Sequence, residues 1–198
     1  MIGAFKQTFL GAAGTSTGLN WDVLATQIAD GTTATHDFTS ISQDYRDLRL
    51  VVSAARTNNG ASAFYLYMDI GSGFDTTNGN YAYSLVSNAS ASNGAPQANA
   101  DNVPWRSNFD FPRDPTQSNS AIFDIFDYSA SGKHSNIMAI SSASVNNGSA
   151  YTSTGGVQHK VTGAISGIRV TQGVTSPSHI YAQKEPTTFT LFGRGSAV

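Results

Sequence analysis

The chain has 198 residues, a formal net charge of −2 and no cysteine, and only 12% of its residues are charged, against roughly 25% in an ordinary globular domain. Its 11 Lys and Arg are scattered, so no basic face argues for nucleic acid, and the lack of thiols excludes a disulfide framework, thiol catalysis and cysteine-type zinc sites. No apolar run approaches the roughly 18 residues of a transmembrane helix, and the first segment, broken by Lys6, Gln7, Thr8 and Gly11, reads poorly as a signal peptide.

Residues 1–20 set Ile2, Phe5, Phe9 and Leu10 among Gly, Ala and Thr. Nothing sustains a helix past Gly11, so an extended arm is expected. Apolar side chains are costly to leave in water. The segment reads as a frayed terminus or a first edge strand, or as an arm that packs on a neighbouring subunit, and the apolar anchors favour docking.

From Trp21 to residue 198 the sequence reads as one domain. Short alternating segments recur between turn signals, the pattern of a sandwich or barrel. Strands are expected over 22–29 and 36–40, with a polar turn at 42–45. Over 46–55, Leu48, Leu50, Val52 and Ala54 share one face; Asp47, Arg49 and Ser53 share the other. Period two is the geometry of a half-buried strand. Asn58, Asn59 and Gly60 then suit a hairpin turn. Over 62–70, Phe64, Leu66, Met68 and Ile70 oppose Ala63, Tyr65, Tyr67 and Asp69. Outward tyrosines at that spacing predict a face covered by a sheet, a loop or a partner.

Residues 71–115 read as one long irregular loop with a single ordered piece at 81–87. Loops of that length usually serve function or an interface. Tyr81, Tyr83, Trp105 and Phe109 are its candidate interface residues, beside the anchors of the arm. Segment 121–128 is apolar on both faces except for Asp124 and Asp127, as a central strand would be. A further strand is expected at 136–145. Segments 157–162 and 164–171 read as a strand pair with Ile165, Ile168 and Val170 in the core, and 188–192 closes the domain. The total is eight to ten strands with no helical period, hence an all-β antiparallel sandwich.

Motifs of chemistry are weak. Gly14–Gly18 matches the G-x-S-x-G pattern but lacks the strand and helix that expose such a serine. The segment 69–80 gathers Asp69, Ser72, Asp75, Thr76, Asn78 and Asn80, oxygen ligands of the kind calcium favours. Its spacing is not that of an EF-hand, and a solvated turn is preferred over a calcium ion near Asp69 and Asp75. His36, His134, His159 and His179 lack metal-ligand spacing and read as isolated surface residues. Asp124 and Asp127 point to opposite faces of a strand and would not converge as an acid–base pair. No catalytic or cofactor-binding residue is assigned. Trp21, Trp105, Tyr81, Tyr83 and Phe109 are the aromatic residues available for stacking on a sugar.

Three phrases carry a family resemblance: FTSISQDYRDLRLVVSAAR at 38–56, FDIFDYSASGKHS at 123–135, and ISGIRVTQG at 165–173 running on to FTLFGRG at 189–195. Together they resemble a group of bacteriophage structural proteins common in phages of marine cyanobacteria. In that group the first phrase has Ile-Pro-Gln-x-Tyr, where Ser42 stands here in place of Pro. The last has Phe-Ser-Leu-Tyr-Gly-Ile, where Phe192 and Arg194 stand for Tyr and Ile. The resemblance implies a jelly-roll module of a virion and no catalytic residues. The expected function is a decoration or cement protein contacting other virion proteins and itself, as a homotrimer. No nucleic acid or membrane is expected as a partner. The alternative is a tail-fibre or appendage module that adheres to host surface glycan.

Overall fold

A computed structural model of the chain describes residues 20–33, 35–55, 63–89, 96–101, 105–106, 119–144, 150–173 and 187–195. Twelve strands run through them: β1 (Trp21–Ile28), β2 (Thr35–Phe38), β3 (Asp47–Ala55), β4 (Ala63–Asp69), β5 (Tyr81–Ala89), β6 (Pro96–Asp101), β7 (Trp105–Arg106), β8 (Asn119–Phe126), β9 (His134–Ser144), β10 (Ala150–Thr162), β11 (Gly167–Gly173) and β12 (Thr188–Arg194). The one helical element among the described residues is a 3-10 turn at Asn78–Asn80. None is a helix long and apolar enough to cross a membrane. The chain is all-β.

Every pairing is antiparallel. An eight-stranded sheet runs β1-β12-β3-β8-β9-β10-β5-β6, and a four-stranded sheet runs β2-β11-β4-β7. The alternation read over 46–55 holds from 48 to 52: Leu48, Leu50 and Val52 are fully buried. Phe123 and Ile125 from β8, Ile137 from β9, and Phe189 and Leu191 from β12 join them from the large sheet. Phe38, Leu66, Met68, Ile168 and Val170 enter the same core from the small sheet. Each such side chain contributes about 1.5–3 kcal/mol by leaving water. Ile165 is buried as expected.

Two expectations about topology are corrected. Segments 157–162 and 164–171 are not partners: β10 pairs with β9 and β5, whereas β11 pairs with β2 and β4 in the other sheet. Their closeness in sequence suggested a hairpin, but the chain changes sheets at 163–166. Nor is 71–115 one irregular loop. It supplies β5, β6 and β7, which bring the strands to twelve. The ordered piece expected at 81–87 is β5; the Asn-, Gly- and Ser-rich composition of the rest hid β6 and β7, because strand formation depends on the neighbouring strand more than on intrinsic preference.

A corner joins the two sheets near one end. The Tyr45 ring lies against Gly193, and a side-chain hydrogen bond joins its hydroxyl to Asp22. Tyr128 is fully buried and donates its hydroxyl to the Ser42 carbonyl. Burial pushes that phenol up to about 12. Gly195 turns the chain out of β12 with φ +75°, a conformation glycine adopts without steric cost.

Candidate functional site

Of the residues picked as interface candidates, Ile2, Phe5, Phe9, Leu10 and Phe109 lie outside the described residues. Tyr83 is placed in β5 and Trp105 in β7, where Trp105 pairs with Leu66. Tyr81 is different. It is 0% exposed, so it serves the core and has no surface to offer a neighbour or a sugar.

The work Tyr81 does is internal. Its hydroxyl accepts from the Met68 N–H at 3.1 Å and donates to the Asp75 carbonyl at 2.7 Å. The Asp75 N–H in turn donates to the Met68 carbonyl at 2.8 Å. Tyr81 and Asp75 thus satisfy the edge of β4 beyond the two-residue β7, where backbone groups would otherwise lack partners. Burial raises the Tyr81 phenol well above its ordinary range.

The oxygen-rich segment 69–80 is held by its own donors. Asp69 Oδ1 accepts from the Gly71 and Gly73 N–H groups. Asp75 accepts from the Thr77 N–H, Asn80 Nδ2 and His159 Nε2. Burial raises the Asp75 carboxyl, but these hydrogen bonds outweigh it and hold the group below its usual range. A cation near Asp69 and Asp75 would have to displace N–H donors already pointing at both carboxylates. Among the described residues no group of three His, Asp or Glu side chains converges as a metal site.

Histidines read as surface residues include two that are buried. His159 is 0% exposed and His36 5% exposed. His36 stacks on Phe189 with ring centroids 4.3 Å apart, and its Nδ1 lies 3.2 Å from Gln27 Oε1. The partners of both histidines come from other elements, so spacing along the chain carried no signal of them. Tyr65 is buried and Tyr67 half-buried, with the Tyr67 ring edge-on to Tyr81; the outward tyrosines are covered by the protein itself.

The surface that stands out is the outer face of the large sheet. Cross-strand registers align Thr26, Thr190, Val51, Ile122, Ile140, Thr154 and Val86 in one row across seven strands. All are β-branched, none is charged, and Ile122, Ile140 and Val86 are 38%, 49% and 53% exposed. The next row runs Val23, Phe192, Arg49, Asp124, Met138 and Gly156. In it Arg49 clasps Asp124 with two hydrogen bonds of 2.6 and 2.8 Å. The Arg49 and Arg194 guanidinium groups both lie over the Trp21 ring, at 4.5 and 4.6 Å. Arg46 and Arg194 also hold Asp47. Burial raises the Asp47 carboxyl, and the hydrogen bonds from both arginines more than reverse it.

Compared with known protein families the chain matches none, and no curated protein sequence matches it.

Proposed function

We propose that this chain is a structural protein of a bacteriophage virion, a decoration or cement protein built on a jelly roll. The strand order is the observation that carries the jelly-roll part of the reading. Setting β5, β6, β9 and β10 aside leaves β1-β12-β3-β8 and β2-β11-β4-β7. Along the chain those strands alternate between sheets up to β4, and from β7 they alternate back in mirror order. That nesting supports the double Greek key of a jelly roll, an architecture that recurs in viral capsid and lectin domains. The two insertions, β5–β6 and β9–β10, widen only one sheet.

Fold alone does not choose between those uses. The phrases at 38–56, 123–135 and 165–195 favour the virion, through their resemblance to phage structural proteins. The glycan-binding alternative loses Tyr81 to the core, and two guanidinium groups already occupy the Trp21 ring.

The test is to locate the chain in purified particles, by mass spectrometry and then by labelling with an antibody against it. Many copies on the capsid are expected. Absence from particles would overturn the virion reading, and label confined to the distal tip of a tail would overturn the cement role.

A further inference from the structure

We propose that the outer face of the eight-stranded sheet is covered by the same face of a second copy of this chain. The inference stands on the surface alone and does not need the virion reading.

Isolated exposed apolar residues are ordinary, but a contiguous patch marks a contact surface. Here Ile122 sits directly opposite Ile140, Asp124 opposite Met138 and Phe126 opposite Asn136. Four exposed large apolar side chains, Ile122, Phe126, Met138 and Ile140, therefore crowd two neighbouring strands at the middle of the sheet. Val51 and Val86 extend the patch along its row in both directions. The opposite face of these strands is already committed to the core.

Three properties favour a second copy as the occupant. The first is area: seven strands about 4.8 Å apart and about 25 Å long outline a plane of roughly 800 Å², which is what each partner buries in a standard interface. The second is charge. A face of one sign repels its own copy, whereas Arg49 with Asp124 and Arg194 with Asp47 pair opposite charges on this face, so like can meet like. A polyanion would need free cations there, and the Arg49 and Arg194 guanidinium groups are both tied to carboxylates. The third is shape. Side chains of two sheet faces interdigitate about 10 Å apart, and a row of Thr, Val and Ile offers the ridges for it. An extended peptide would add to a sheet edge instead. A contact of this kind is isologous and closes at two copies, in place of the three expected from the sequence.

The full chain is tested by sedimentation at micromolar concentration, with the Ile140→Lys variant alongside. A wild-type dimer is expected, and the variant should weaken it about 100-fold or more, because the two-fold brings each new charge into the contact twice. Circular dichroism checks that the variant is folded. Should it not fold, single cysteines decide, since the native chain has none. Ile140→Cys should form a disulfide dimer on mild oxidation, and Ser72→Cys, in the exposed 71–73 turn, should not. A monomeric wild type at 100-fold higher concentration, a folded Ile140→Lys variant with undiminished dimerisation, or equal cross-linking at both cysteines would each overturn the proposal. So would a monomeric Ile140→Cys variant whose introduced thiol reacts only after residues 1–19 are removed, because the arm would then be the cover.

Discussion

Gly193 lies directly beneath the Tyr45 ring: a Cβ added there would stand 2.6 Å from Tyr45 Cγ and 2.8 and 2.9 Å from its Cδ atoms. The contact joins the turn before β3 to the final strand. It requires glycine for closeness of approach.

Gly193→Ala should therefore destabilise the protein by about 1–3 kcal/mol, the usual effect of overpacking a filled site. Urea unfolding of Gly193→Ala, Tyr45→Ala and the double variant measures the coupling. The double variant should be more stable than the sum of the two single losses implies. Simple additivity would show that the ring is not what excludes the methyl group.

Tyr81→Phe removes one hydroxyl and leaves the buried Met68 N–H without its acceptor. A loss of about 1–3 kcal/mol is expected. Hydrogen exchange should quicken at Met68 and in residues 70–80 before the rest of the sheet responds, since Asp75 loses the same anchor. Uniform acceleration over the whole chain would argue against a local role.

The two charge pairs around β8 should behave differently. Asp124 is largely buried and its pair with Arg49 is bidentate, so Asp124→Ala should cost about 1–2 kcal/mol, between the exposed and the buried extremes. Lys133 and Asp127 are mostly exposed and 3.7 Å apart; thermal unfolding of Lys133→Ala should match the parent closely.

Acid should weaken the fold in two stages. Burial lowers the His36 pKa below 6.5, although Asp30 and Asp37 oppose the shift. Between the folded and unfolded values the unfolded chain binds the extra proton, so this contribution is present above about pH 6.5 and is lost as pH falls below it. Asp47 and Asp75 are held below 3.8. Their contribution is present above the unfolded carboxylate value and is lost as pH falls through the folded one. Urea midpoints from pH 8 to pH 3 should show both steps, and His36→Gln should remove the first. An unchanged first step in that variant would assign it to another histidine.

Much of the fold is written in local pattern. The alternation over 46–55 identified Leu48, Leu50 and Val52 as core, because period two is a property of the single strand and needs no knowledge of its partner. Ile168 and Val170 followed in the same way, whereas Ile165, also buried, lies in the crossover before β11. The covering of Tyr65 and Tyr67 was also anticipated, though not by which element.

What the sequence by itself determined is therefore the class: all-β, few charges and an apolar face on the strands whose alternation is plain, such as β3. What only the tertiary structure decided is partnership. Asp75 and His159 are 84 residues apart, and the row from Thr26 to Val86 takes one residue from each of seven strands. A strand's own pattern says which residues share a face. The register with its neighbours decides which faces align, and that register is set by long-range packing that no short stretch of sequence contains.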